Sequence, residues 1–201
     1  MIENTEPITF TWGRVDCADS PSTTDVHTFP EPTMDYSEMM EYFSDMFGMD
    51  EDEVTALMGA HTLGGAKASN SGYAGVWMEG EKLYFNNQFY KRMTEDYGLT
   101  FQHKNVAKLS SSTTPKWQWL GWDSDDEQQC FYLNTDLELY KDLTLNSDAK
   151  STCSYDDCSS SDTASLVEEY AADQELWIVD FAAAFEKMAS HGYSSLSTPS
   201  D

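Results

Sequence analysis

Positive charge is the first thing this sequence is short of. Lysine and arginine number 11 against 36 aspartates and glutamates, a formal net charge of −25 over 201 residues. That balance excludes a nucleic-acid binder, because a phosphate backbone needs a basic surface. It also disfavours adsorption to an anionic membrane. Long apolar runs are missing too: no stretch reaches the ~18 residues of a membrane-spanning helix. The opening MIENTEPITFTWGR has neither the basic nor the apolar region of a signal peptide. An acidic surface of this size fits a basic protein partner drawn in by long-range attraction, or serves only to keep the chain in solution. Histidine is scarce, at His27, His61, His103 and His191, and so is cysteine, at Cys17, Cys130, Cys153 and Cys158. Four cysteines allow two disulfides in three connectivities. Cys153 and Cys158 flank a Ser-Tyr-Asp-Asp tip, where a local bridge is within reach. Zinc is the weaker reading, since no histidine lies near the pair, and free buried thiols are the bland one. A bridge would point to an oxidising compartment.

The chain divides by pattern. Residues 1–34 carry Pro7, Pro21, Pro30 and Pro32 and read as an extended segment. Residues 35–193 read as one helical domain and 194–201 as a Ser-rich flexible tail. Tyr36, Met39, Met40, Phe43, Met46 and Phe47 recur at helical spacing, between a cap at Asp35 and a stop at Gly48. A second helix starts at Asp50 with acids in its first turn and places Val54, Leu57, Met58 and His61 on one face, ending at Gly64 and Gly65. Residues 66–85 read as loop, and 86–97 as helix with Phe89, Tyr90 and Met93 inward. Alternation in residues 100–134 suggests a short hairpin at most, followed by a short helix over 135–143. The Ser- and Asp-rich stretch 144–162 is the expected mobile loop, and two helical patterns fill 163–190. The sum is an all-α domain with long loops. Trp117, Trp119 and Trp122 read as packing or interface anchors, and the acidic run 123–127 as a solvated loop or a docking point for a basic redox protein.

His61 stands apart from the other histidines. It ends an apolar helix face in Ala-Leu-Met-Gly-Ala-His-Thr-Leu-Gly (56–64), where Gly59 and Ala60 would leave room beside the ring for a flat macrocycle. A histidine on an apolar face is more often a core residue than a ligand. A ligating one also needs an acceptor on its second nitrogen.

Residues 56–64 resemble the proximal-ligand motif of class I haem peroxidases, the cytochrome c peroxidase and ascorbate peroxidase group. Asn-Ser-Gly-Tyr-Ala-Gly-Val-Trp (70–77) resembles the segment that follows in cytochrome c peroxidases, with Trp77 sixteen positions after His61. Leu-Asn-Thr-Asp-Leu-Glu-Leu (133–139) resembles the segment that supplies an aspartate to the ligand histidine. Residues 8–17, 169–174 and 180–187 resemble the flanking segments in the same order. The resemblance implies the proximal half of the haem-dependent peroxidase fold with haem b. His61 would be the axial iron ligand and Asp136 the acceptor of its other N–H. Trp77 would lie beside His61 and bond Asp136, as the oxidisable relay toward a protein reductant. Lys67 would contact a haem propionate, and Thr62 would support a loop cation.

The distal histidine and arginine that activate peroxide in this family precede everything matched here. Neither Arg14 nor Arg92 is followed by an aromatic and a histidine, as the distal motif would require. Two readings follow. The chain reduces hydrogen peroxide when paired with a distal half, which is carried by a separate chain or is a lost part of the same protein. Alternatively, it is a catalytically silent peroxidase-like subunit of a larger organellar electron-transfer complex. A haem-holding module without peroxide chemistry is a third. The resemblance implies a mitochondrion or plastid, including the thylakoid lumen.

Overall fold

The computed structural model describes residues 8–15, 29–109 and 112–198. Cys17, His27, Pro7 and Pro21, and with them most of the expected extended segment and the end of the tail, lie outside the described residues.

In chain order the helices are α1 (Tyr36–Phe47), α2 (Glu51–Met58), α3 (Ala68–Ser71), α4 (Gln88–Met93), α5 (Asn134–Leu137), α6 (Ala164–Ala172) and α7 (Gln174–Ser190). The strands are β1 (Gly65–Ala66), β2 (Gly75–Val76), β3 (Thr100–Asn105), β4 (Trp117–Trp122) and β5 (Gln128–Tyr132). The two helix starts read from Asp35 and Asp50 are both capping boxes. Asp35 accepts from Glu38 N–H at 2.9 Å and Asp50 from Glu53 N–H at 3.0 Å, and each glutamate reaches back to the cap's own N–H. Gly48 closes α1 in the left-handed conformation at φ 65°. The last two helical patterns become α6 and α7, the latter capped by Asp173.

The all-α expectation is overturned by a three-stranded antiparallel sheet in the order β3-β4-β5, and by a two-stranded β1-β2 ribbon. The sheet occupies residues 100–132, where at most a hairpin was expected. The pattern concealed it because β4 is central and covered on both faces. Gln118, Trp119, Leu120 and Gly121 are all buried in succession, so no apolar–polar alternation is left to read. Gln118 is tolerated there because its amide pairs with the Ala74 backbone, accepting from N–H at 3.1 Å and donating to the carbonyl at 2.8 Å. A bulge between Gly121 and Trp122 further breaks the period.

The stretch 144–162, expected to be mobile, is tied down. Cys153 and Cys158 form the local disulfide, bridges pair Lys141 with Ser160 and Leu145 with Ser151, and buried Tyr155 donates to the Met93 carbonyl at 2.5 Å. At the other end, Trp12 and Ser197 pair through two 2.9 Å backbone hydrogen bonds, so that part of the tail is also held.

One buried acid stands out in this core. Glu138, just past α5, is 2% exposed, and its Oε1 has no hydrogen-bond partner among the described residues. Burial pushes its carboxyl up to about 8, against the pull of backbone hydrogen bonds from Leu143 and Tyr36 and with further upward pressure from Asp142 and Asp35. An acid whose folded value is raised binds its proton more tightly folded than unfolded. The fold is therefore free of this cost below the ordinary value of 4.5, and loses stability as pH climbs from there through about 8. Urea denaturation at about pH 5 and pH 9 should show this loss as a few kcal/mol, and Glu138→Gln should flatten it. A parallel pH dependence in the variant would assign the loss to other groups.

Candidate functional site

The site begins where α2 ends. After Met58 the chain tightens into a 3-10 turn, Gly59–Thr62, instead of continuing as the α-helix the pattern predicts. The carbonyls this exposes are taken up by two buried side chains. Tyr90 hydroxyl donates to the Thr55 and Ala56 carbonyls at 2.7 and 3.1 Å, and Trp177 Nε1 donates to the Ala56 carbonyl at 3.0 Å. Gly59 admits that approach: a Cβ there would sit 2.5 Å from the Tyr90 hydroxyl. Its smallness thus serves Tyr90 and Trp177, not an open space beside His61. Ala60 is exposed.

The next residues turn back on themselves. In the β1-β2 ribbon Gly65 pairs with Val76 and Ala66 with Gly75, around the short α3. Gly65 must be glycine, since a Cβ would meet the Gly75 carbonyl oxygen at 2.3 Å. Trp77 N–H then donates to the Gly64 carbonyl at 3.1 Å, which returns residue 77 to the side of residue 61. The ribbon docks on the sheet edge, with Phe131 N–H donating to the Trp77 carbonyl at 3.2 Å and Met78 bridging Cys130. From β5 the chain enters α5, which carries Asp136.

Three of the four site residues read from the sequence meet here. His61 Nδ1 lies 2.8 Å from Asp136 Oδ1. Asp136 is fully buried, and its Oδ2 accepts from Leu133 N–H at 2.7 Å, so both oxygens are engaged. The Trp77 ring stacks on His61, centroids 4.1 Å apart and planes 9° apart. Among the described residues no hydrogen bond joins Trp77 to Asp136, whose second oxygen accepts from the Leu133 N–H. Phe131, which the sequence did not flag, stacks on the far side of Trp77 at 4.0 Å and 13°. The ring contacts thus run His61, Trp77, Phe131 with nearly parallel planes. Phe131's place two residues before Leu133 was the available signal. Lys67 stays apart, exposed on the surface and not among the groups lining the cavity described next. Thr62 is buried, with its hydroxyl donating to Asn86 Oδ1 at 3.0 Å.

With Nδ1 committed to Asp136, the second ring nitrogen of His61 has no hydrogen-bond partner among the described residues. The side chain is 34% exposed and lines an apolar cavity of about 610 Å³ with Phe43, Met46, Phe47, Leu57 and Met58. A neighbouring cavity of about 580 Å³ is lined by Trp77, Tyr73 and Lys116, and residues 29–32 and Leu133 border both. An imidazole held at one nitrogen by a buried carboxylate and free at the other is a metal-ligand arrangement. Neither arginine reaches the His61 cavity. Arg14 donates to the Ala189 carbonyl at 2.6 Å and Arg92 to the Gln129 carbonyl. His103 is a different case. Its ring stacks on Trp119 at 4.2 Å and bonds Asn134 Oδ1 at 3.1 Å, and burial lowers it to about 4, which keeps it a neutral packing residue.

A family model described as peroxidase matches residues 2–173. The chain belongs to the peroxidase family. Among relatives of this peroxidase-family chain, a mitochondrial cytochrome c peroxidase of Yarrowia lipolytica is 29% identical over 180 residues, which is 90% of this chain and 43% of that protein. A candidate heme-binding peroxidase of Pyricularia oryzae is also 29% identical over 180 residues, 90% of this chain and 51% of that protein. The chain spans about half the length of the curated relatives it matches. The crystal structure of a Leishmania major pseudoperoxidase shares the fold, with a TM-score of 0.62 over 96% of this chain and 63% of that one at 22% identity. The class I resemblance read from residues 56–77 and 133–139 is therefore sound, and the sheet belongs to a peroxidase-like fold rather than an all-α one. Among the described residues no helix is long and apolar enough to cross a membrane.

Proposed function

We propose that this chain forms the proximal face of a haem b site and takes part in hydrogen-peroxide reduction. The observation that carries the reading is the His61–Asp136 hydrogen bond beside the Trp77 stack, at the rim of an apolar cavity. The donor set fits the group. One imidazole nitrogen is free, the walls are mostly aliphatic and aromatic, and the volume of about 610 Å³ falls in the usual range of cofactor pockets. Haem bound there supplies redox-active iron for two-electron reduction of peroxide.

The chain's own residues do the rest. Asp136 fixes the tautomer of His61 by accepting from Nδ1–H, which directs the lone pair of the other nitrogen outward. Trp77 covers one face of the ring and would pass an electron inward from a protein donor. Lys67, exposed and without an ion pair among the described residues, is the candidate to meet a propionate. The acidic surface suits a basic redox protein, and the mitochondrial relatives favour a mitochondrial setting.

The test is reconstitution. Adding hemin should give a Soret band and the spectral signature of a histidine ligand to iron. His61→Ala should lose that signature and bind hemin at least about tenfold more weakly. Identical spectra from the two proteins would remove His61 as the ligand and this reading with it. A second reading, a catalytically silent accessory subunit, is favoured by the fact that neither Arg14 nor Arg92 faces the His61 cavity. Peroxide turnover by the hemin-loaded chain, alone or with its co-purifying partner, separates the two.

A further inference from the structure

A second cavity lies on another part of the molecule and has no role in the site above. It encloses about 500 Å³ between the start of α1, the end of α5 and the segment 142–162. Asp35, Glu138, Asp142 and Asp162 line it, and no lysine or arginine does. Acids alone would be only a solvated cluster, but here three polar atoms are buried without a hydrogen-bond partner among the described residues. They are Glu138 Oε1, the Tyr36 hydroxyl and Ser161 Oγ, and all three residues line this cavity. Glu138 is 2% exposed, so its carboxyl group is withdrawn from bulk water while one oxygen goes unanswered. A folded protein rarely leaves such groups unpaired, because each costs about 1–3 kcal/mol.

The geometry points to a binding site for one organic cation, a primary ammonium or a guanidinium group, with Glu138 as its buried anchor and Asp142 and Asp162 at the rim. Charge decides the sign of the ligand. The α1 N-terminus offers about half a positive charge, but Asp35 already meets the Glu38 N–H in the capping box, and the carboxylates of Asp35, Asp142 and Asp162 outweigh it, with Glu138 giving up its proton as the cation binds. Shape decides the class. A bare metal ion needs several oxygens converging on one point, and among the described residues no group of three or more Asp, Glu, His or Cys does so. An ammonium or guanidinium carries several N–H donors and needs no such convergence, so it suits a wider space whose lining leaves Glu138 Oε1, Ser161 Oγ and the Tyr36 oxygen without a partner. The cation could be a free amine or the tip of a basic side chain on a partner protein, and the two are told apart by the probe.

The experiment is calorimetric titration of the whole chain with agmatine, with the peptide acetyl-Gly-Arg-Gly-amide, and with calcium chloride. A single saturable site for agmatine or the peptide is expected, weakened at least about tenfold by Glu138→Gln and by Asp162→Asn. Glu127→Gln, on the exposed β4–β5 turn, should leave it unchanged. The tighter of the two organic probes identifies the source of the cation. Asp162→Asn, an exposed position, keeps the test alive if Glu138→Gln misfolds. Non-saturating binding, or equal weakening by all three variants, would show general attraction to an acidic surface and overturn the site. So would calcium binding more tightly than either organic probe and being lost in the same two variants.

Discussion

Asp136→Ala should lower the unfolding free energy by about 3–5 kcal/mol, and it should free the His61 ring. The carboxylate is fully buried and holds two donors, His61 Nδ1 at 2.8 Å and Leu133 N–H at 2.7 Å. Alanine strands both where water cannot replace the acceptor, and it opens a void at the start of α5. Asp136→Asn keeps the volume and one acceptor, so its cost should be nearer 1–3 kcal/mol. Its amide must still place an N–H₂ against one of two donors. In the hemin-loaded chain the same substitution should shift the iron–histidine signature, because the ring loses its anionic partner. Urea denaturation gives the first result and resonance Raman spectroscopy the second. If Asp136→Ala unfolds at the same urea concentration as the parent, the pair does not exist in solution and the proximal-site reading falls.

Gly59→Ala is the second large effect. The added Cβ would lie 2.5 Å from the Tyr90 hydroxyl, 2.6 Å from Trp177 Nε1 and 2.8 Å from Trp177 Cε2. Neither ring can step aside: both are fully buried, and both donate to the Ala56 carbonyl. Overpacking together with two strained hydrogen bonds should remove about 3 kcal/mol. The melting temperature should fall by roughly 6–12 °C, scaling by chain length. The damage also reaches function, since the turn that carries His61 starts at this residue. Calorimetry of the variant checks the stability, and a hemin titration checks the site. A melting temperature within a degree of the parent would mean the helix end is looser than the structure shows.

The sequence revealed the elements whose signal is local. Asp35 with Glu38 and Asp50 with Glu53 mark their helix starts because a capping box is complete within four residues. His61, Trp77 and Asp136 were legible as a set through their family spacing, although they come from a turn, a ribbon and a short helix. What stayed hidden depends on contacts far along the chain. Gln118 reads as polar surface until the Ala74 backbone, 44 positions earlier, is seen to pair with it, and the central strand was lost for that reason. The loop 144–162 reads as mobile by composition, yet Tyr155 buries itself against Met93. Gly59 was taken as clearance for a ligand, whereas the neighbours it makes room for come from residues 90 and 177. Lys67 had only motif position to recommend it, and no contact in the fold draws it to His61.

The stacked rings of Trp77 and Phe131 carry one more consequence. One edge of the His61 imidazole is anchored and one flat side is covered, so torsion of the ring is blocked before any metal arrives. The rotational entropy that a mobile ligand would surrender on coordination has already been spent during folding. Apo and loaded protein should then share one orientation of the imidazole plane.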